Sequence, residues 1–229
     1  MSTATNINFS KTTLSILKNF ASLNSNILVT PGNVIKTITP SMNGMAEATV
    51  EEDFPIEFGI WDLNKFLGVV SLFQNPSFQF EDKYVRIEGA GGTAVNYFYS
   101  NPNLLTVPKK EVKMPKVCAE AYLTQDALSE LMRASSILQL PDVCFQSRND
   151  SIYAVVCDRN DPTSNSCEVD LEADANGKEF SFNFKIDNIR LLSGDYKISF
   201  SKNVVVEFEN QNIPLKYWFA MEPSSTYNG

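Results

Sequence analysis

Residues 9–23, Phe-Ser-Lys-Thr-Thr-Leu-Ser-Ile-Leu-Lys-Asn-Phe-Ala-Ser-Leu, return in worn form at 123–137, Leu-Thr-Gln-Asp-Ala-Leu-Ser-Glu-Leu-Met-Arg-Ala-Ser-Ser-Ile. At an offset of 114 residues, Ser10 and Thr124 fall together as hydroxyl N-caps. Leu14/Leu128, Ser15/Ser129, Leu17/Leu131 and Ser22/Ser136 then match. A repeat of that length means two similar domains rather than a short-period solenoid. In the first copy Leu14, Leu17 and Ala21 form one stripe of a helix, with Ile16 and Phe20 beside it. Lys11, Ser15, Lys18 and Ser22, three or four apart, share the opposite face.

The segments around each helix repeat too. Ile27-Leu28-Val29 and Val34-Ile35 flank Pro31-Gly32-Asn33, a hairpin signature, and the second copy gives Val143 to Phe145 and Ile152 to Val156 around Arg148-Asn149-Asp150. Further strands are expected at Ala46 to Val50 and Cys167 to Ala173. A finer unit then appears: Phe58 to Leu67 resembles Phe184 to Leu192, each reading as a strand, an Asp N-cap (Asp62, Asp187) and a short apolar helix. Two strands follow each, Phe78 to Phe80 with Tyr84 to Ile87, and Tyr196 to Phe200 with Val204 to Phe208. Thr93 to Tyr99 and Leu215 to Met221 close the two domains. The expected fold is therefore α+β: two similar domains, 1–100 and 117–229, each built from two strand–helix–three-strand units. Between them, residues 101–116 hold three prolines and four lysines and read as an extended connector.

Composition narrows the chemistry. The chain has no histidine, which removes Ser-His-Asp and Cys-His catalysis, histidine bases and most zinc sites. Cys118, Cys144, Cys157 and Cys167 show no close paired spacing and read as reduced thiols. The sequence gives no reason to expect a metal or cofactor. The longest apolar stretch, Phe66 to Phe73, is too short for a bilayer, and the polar lead Met1 to Asn8 has no apolar signal core. No membrane role is expected, and the cytoplasm is the expected compartment. A formal charge of −8 argues against a simple nucleic-acid-binding domain, unless the cations are gathered on one face.

Two stretches resemble a known family in their wording and not only in their pattern. Leu17-Lys18-Asn19-Phe20-Ala21-Ser22-Leu23-Asn24-Ser25 and Asp62-Leu63-Asn64-Lys65-Phe66-Leu67-Gly68-Val69-Val70-Ser71-Leu72 closely resemble the sliding clamp of T-even-type bacteriophages. The match is close from about residue 10 to 75 and rests on the order of elements beyond residue 116. The resemblance implies a non-enzymatic processivity factor: a homotrimeric ring encircling double-stranded DNA and tethering the replicative DNA polymerase. Helices would line the hole and sheets form the outer wall. It further implies an ATP-driven clamp loader, transcription factors of the late phase as partners, and work in the cytoplasm of the infected host cell. In a trimer the repeat would give approximate sixfold symmetry by domain.

Site residues follow from the resemblance and from helix position. Lys11, Lys18, Lys65, Arg133 and Arg190 are the DNA-facing candidates, with ordinary solvated charges as the alternative. For the partner-peptide pocket, position alone suggests Leu104, Leu105 and Val107 on the connector and Met221 and Pro223 in the tail; the alternative is that the connector residues pin it to its own domain. Ring closure would use two edge strands, with Tyr97, Phe98 and Tyr99 on one and Val169 and Leu171 on the other. The second strand alternates Glu168, Asp170, Glu172 and Asp174, which reads as a solvated acidic face rather than a metal site. Gly89-Ala90-Gly91-Gly92 lacks the Lys-Ser/Thr ending of a P-loop. Two other classes stand beside the clamp: a ring-forming phage structural protein with no replication role, and an enzyme acting through carboxylates.

Overall fold

The computed structural model describes residues 6–202 and 204–229; residues 1–5 of the polar lead lie outside them. The chain divides into two compact units, residues 1–110 and 111–229.

In the first unit the order is β1 (Asn6–Ile7), α1 (Lys11–Leu23), β2 (Ile27–Val29), β3 (Gly32–Ile38), β4 (Gly44–Phe54), β5 (Phe58–Ile60), α2 (Leu63–Val70), β6 (Ser77–Phe80), β7 (Tyr84–Glu88) and β8 (Ala94–Phe98). A 3₁₀ turn, Pro102–Leu104, follows. The strands β1, β6, β7 and β8 form an antiparallel sheet in that order, with β8 at its edge. Helix α1 is capped by Ser10, whose hydroxyl accepts from the Thr13 N–H, and α2 by Asp62, which accepts from the Lys65 N–H. Their apolar stripes cover a core of aromatic rings. Phe9 stacks on Phe78 with centroids 3.9 Å apart, and Phe54 meets Phe58 and Phe80 edge-on.

One expectation fails here. Strands β2 and β3 do not form the hairpin suggested by Pro31-Gly32-Asn33; β2 pairs instead with β5, in the register Ile27↔Ile60, while β3 pairs with β4. Only Thr30 and Pro31 separate β2 from β3. A two-residue hairpin of type I′ needs positive φ at both positions, and the proline ring forbids that. The chain turns a corner instead.

The second unit runs β9 (Val117–Leu123), α3 (Gln125–Leu138), β10 (Asp142–Arg148), β11 (Ser151–Cys157), β12 (Cys167–Asp174), β13 (Glu179–Lys185), β14 (Tyr196–Ser201), β15 (Val205–Asn210), β16 (Leu215–Ala220) and β17 (Thr226–Asn228). One sheet has the order β12-β11-β10-β13-β17, and β9, β14, β15 and β16 lie side by side in that order. Here the second expected hairpin does form: Arg148 pairs with Ser151, and Asn149 and Asp150 both take positive φ, 51° and 65°. Helix α3 begins 114 residues after α1, capped by Thr124, whose hydroxyl accepts from Ala127 N–H.

The fourth expected helix is absent. In its place stands a 3₁₀ turn, Ile186–Asn188, and Asp187 lies inside it instead of capping a helix. The reason is visible at Leu192. Its N–H donates to the Tyr217 hydroxyl at 3.1 Å, and its carbonyl accepts from Tyr196 at 2.5 Å. The Leu192 N–H is thereby withheld from the bond to the Asn188 carbonyl that would extend the turn into a helix, and the Tyr196 bond holds the segment's end to the sheet. Gly194, at φ 155°, then turns the chain into β14.

Candidate nucleic-acid interface

The exposed face of α1 carries Lys11, Ser15, Lys18 and Ser22, the four residues expected there, while Ile16, Leu17, Phe20 and Ala21 are buried. Helix α2 packs against α1, and the Leu63 N–H donates to the Ser25 carbonyl at 2.7 Å. Lys65 is exposed on the first turn of α2. Neither helix contains an acidic residue. Lys11 and Lys65 therefore sit in first turns, where the helix dipole disfavours a cation by roughly 0.3–1 kcal/mol. Helix stability does not explain them.

Pairing sets these cations apart from those on the strands. Lys36, Arg86, Arg148, Lys185, Lys197 and Lys216, all on strands, each hold a carboxylate within 4.0 Å. Among the described residues, Lys11, Lys18, Lys65 and Arg133 form no ion pair. Their charge is left for an external anion.

A buried carboxylate fixes the entry of α1. Glu52 on β4 is 6% exposed and accepts from the Ser10 N–H and the Thr13 hydroxyl. It meets both the orphan donors and the positive end of the helix. The counterpart on α3 is looser: Asp195, exposed, accepts from the Gln125 N–H at 2.8 Å. Sequence reasoning missed Glu52, although the signal was there: it shares strand parity with Ala46, Ala48, Val50 and Phe54, which turns it inward while Glu51 and Asp53 face out. It missed Trp61 as well, an indole 55% exposed immediately before the Asp62 cap.

The second unit presents a different helical face. Arg133 is exposed on α3, but so are Asp126 and Glu130. Arg190 is exposed beyond the 3₁₀ turn, its Nε donating to the Asp187 carbonyl at 2.9 Å. Arg190 and α3 do come together: a groove of about 380 Å³ is lined by Arg190, Leu191, Ser129 and Met132. The first unit has eight Lys and Arg against nine Asp and Glu, the second eleven against eighteen. Almost all of the net charge of −8 thus belongs to the second unit.

Both expected edge strands are edges of their own sheets. On β8, Tyr99 N–H donates to Lys83 and Gly89 N–H to Thr93, so the odd-numbered residues bond to β7. The backbone groups of Ala94, Asn96 and Phe98 consequently face the free edge. Phe98 is 65% exposed, whereas Tyr97 packs on Phe66 and donates to the Asp62 carbonyl at 3.2 Å. Burial, aided by the charge on Asp62, raises the Tyr97 phenol above its usual range, and burial raises Tyr99 too. On β12, Glu168, Asp170, Glu172 and Asp174 are exposed, Val169 is half-buried and Leu171 is buried in its own unit. A bulge falls within 170–174, with Glu172 at φ 51°.

The candidate pocket residues have unlike surroundings. Leu104 is 65% exposed, Val107 half-buried, and Leu105 buried against β5, where a Cβ on Gly59 would stand 2.6 Å from its Cδ1. Thr106 is held at both ends, its carbonyl accepting from Asn24 and its N–H donating to Asn26. The start of the connector is thus part of the first unit. In the second unit Met221 is buried and Pro223 exposed. Among the described residues no group of three or more His, Cys, Asp or Glu could hold a metal ion, and no helix is long and apolar enough to cross a membrane.

Comparison with known proteins bears on the family and the fold. A family described as DNA polymerase processivity factor matches residues 9–80. The sliding clamp of Vibrio phage KVP40 is 31% identical over 218 residues, covering 93% of this chain and 97% of its own. The chain belongs to the sliding-clamp family. The clamp of Enterobacteria phage T4 is 28% identical, covering 96% and 98%. In fold, this clamp matches PCNA of A. fulgidus, solved with the C-terminal region of FEN-1, at a TM-score of 0.72 and 13% identity, covering 95% and 98% of the two chains. It is a processivity factor and not an enzyme, of the α+β clamp fold. Lys11, Lys18 and Lys65 all lie within the stretch matched by the family.

Proposed function

We propose that three copies of this clamp close head-to-tail into a ring around double-stranded DNA and tether the replicative DNA polymerase, in the cytoplasm of an infected host cell. The observation that carries this reading is the acid-free helical face with Lys11, Lys18 and Lys65 unpaired on a chain of net charge −8. A ring holds DNA by topology, so a few cations suffice; each further phosphate contact would steepen the salt dependence by roughly 0.9 in slope and hinder sliding. The free edges of β8 and β12 are unlike surfaces, and contacts between unlike surfaces close into rings when the rotation permits. Within this reading a clamp loader driven by ATP opens the ring, and factors of late transcription use the same ring as a tether.

The test is retention on DNA of two shapes. Clamp loaded on closed circular duplex stays bound through a high-salt wash, and is lost once the circle is cut by a restriction enzyme. Equal retention on circle and linear product defeats the topological reading. Light scattering that shows only monomer across the micromolar range defeats the trimer.

A further inference from the structure

Trp61 is a large apolar side chain left in water where the fold offers it a place. It stands one residue before the α2 cap, the position from which an apolar side chain ordinarily folds back on the fourth helical residue, here Phe66. Phe66 is buried, yet Trp61 remains 55% exposed. Among the described residues its indole makes no ring contact and its N–H has no partner. Trp218, the other tryptophan, is 8% exposed and donates to Glu207 at 2.8 Å. The fold satisfies one indole and leaves the other open.

Its surroundings indicate what would cover it. Lys65 lies four residues on, and the end of α1 adjoins through the hydrogen bond from the Leu63 N–H to the Ser25 carbonyl; Lys18 and Ser22 are on the exposed face of that neighbouring helix. The nearest acid, Asp62, is occupied as the helix cap, accepting from Lys65 N–H at 2.8 Å. An indole flanked by unpaired cations complements a chain that offers both phosphate and an aromatic face, which is single-stranded nucleic acid. In a duplex the base faces are covered by stacking and the indole has no face to meet.

Resting on the DNA-encircling reading above, we propose that Trp61, with Lys18 and Lys65, is a stacking site for an unpaired base of DNA, as found where a duplex gives way to single strand. The surface thereby distinguishes a junction from uninterrupted duplex.

Tryptophan fluorescence tests this directly. Trp218→Phe leaves Trp61 as the sole emitter. A short oligodeoxythymidylate quenches that emission, and a blunt hairpin duplex of equal phosphate content quenches it far less. Trp61→Ala weakens binding of the oligodeoxythymidylate by roughly five- to a hundredfold, the range one base–aromatic stack is worth. Its affinity for the duplex changes less than twofold. Equal quenching by duplex and single strand makes Trp61 a backbone contact and overturns the proposal, as does an absence of quenching by either. Trp61→Ala clamp still remains on circular duplex and leaves cut DNA. Loss of that behaviour in the wild type would instead strike the ring reading, so the two failures are separable.

Discussion

Helices α1 and α3 occupy the same place in a duplicated plan, begin 114 residues apart, and bury matching leucines, yet they show water opposite characters. The first presents Lys11 and Lys18 with no acid; the second presents Arg133 one turn beyond Glu130 and two beyond Asp126. The first places a cation in its first turn against the dipole, while the second places Asp126 there, with it. The buried face is what the fold requires of both copies, and it is kept. The exposed face is free to diverge, and under the ring proposed above its divergence would mark which copy attracts the duplex. A ring built from such chains would attract its duplex at alternate positions around the hole and merely tolerate it at the others.

The largest effects should be the symmetric ones. Leu17→Ala and Leu131→Ala each remove a buried side chain from equivalent positions, at a cost of about 2–5 kcal/mol. Hydrogen exchange resolved along the chain reads them: protection falls in residues 1–110 for the first and 111–229 for the second. A cost confined to one of the two would break the claim that the buried faces are equivalent.

Next come the helix entries. Glu52→Ala leaves the Ser10 N–H and the Thr13 hydroxyl without their buried acceptor, a loss of about 2–3 kcal/mol. Asp195→Ala exposes the Gln125 N–H to water, which replaces the lost acceptor, so about 0.5 kcal/mol is expected. Exchange rates of the first-turn amides of α1 and α3 measure both. Similar values would mean that the first unit does not hold its basic helix more firmly than the second holds α3.

What the sequence made legible follows the same line. Period and capping chemistry are local, so α1, α2, α3, their caps at Ser10, Asp62 and Thr124, and the exposure of Lys11 and Lys18 could be read directly. The misses are long-range. The missing fourth helix depends on Tyr196 and Tyr217 capturing the backbone of Leu192, up to 25 residues away. The pairing of β2 with β5 follows from a proline that forbids the nearer partner. Glu52 is a mixed case: strand parity with Val50 and Phe54 turns it inward, but the partners it meets there lie about forty residues upstream. At the site, residue type and helical spacing gave the cations, but not that α3 would surround Arg133 with acids on one face; that required weighing every exposed position and not the basic ones alone.

The smallest effect is the one that tests function. Reversing Lys18 to Glu places an anion on an acid-free face, and processive synthesis on primed circular DNA should fall several-fold, equivalent to about 1 kcal/mol for an exposed charge contact. Reversing Arg133 to Glu adds a third anion where two already stand, so the same assay should move by less than twofold. Both positions are exposed and make no ion pair among the described residues, so neither reversal should alter the melting temperature appreciably. The ordering carries the argument. A ring with equivalent linings would respond equally to the two reversals, and a ring that attracts DNA through its first unit responds to Lys18 alone. If Arg133→Glu is the more damaging, the acidic residues around it would have to be screened or turned away in the closed ring, and the face of α3 would become the principal contact.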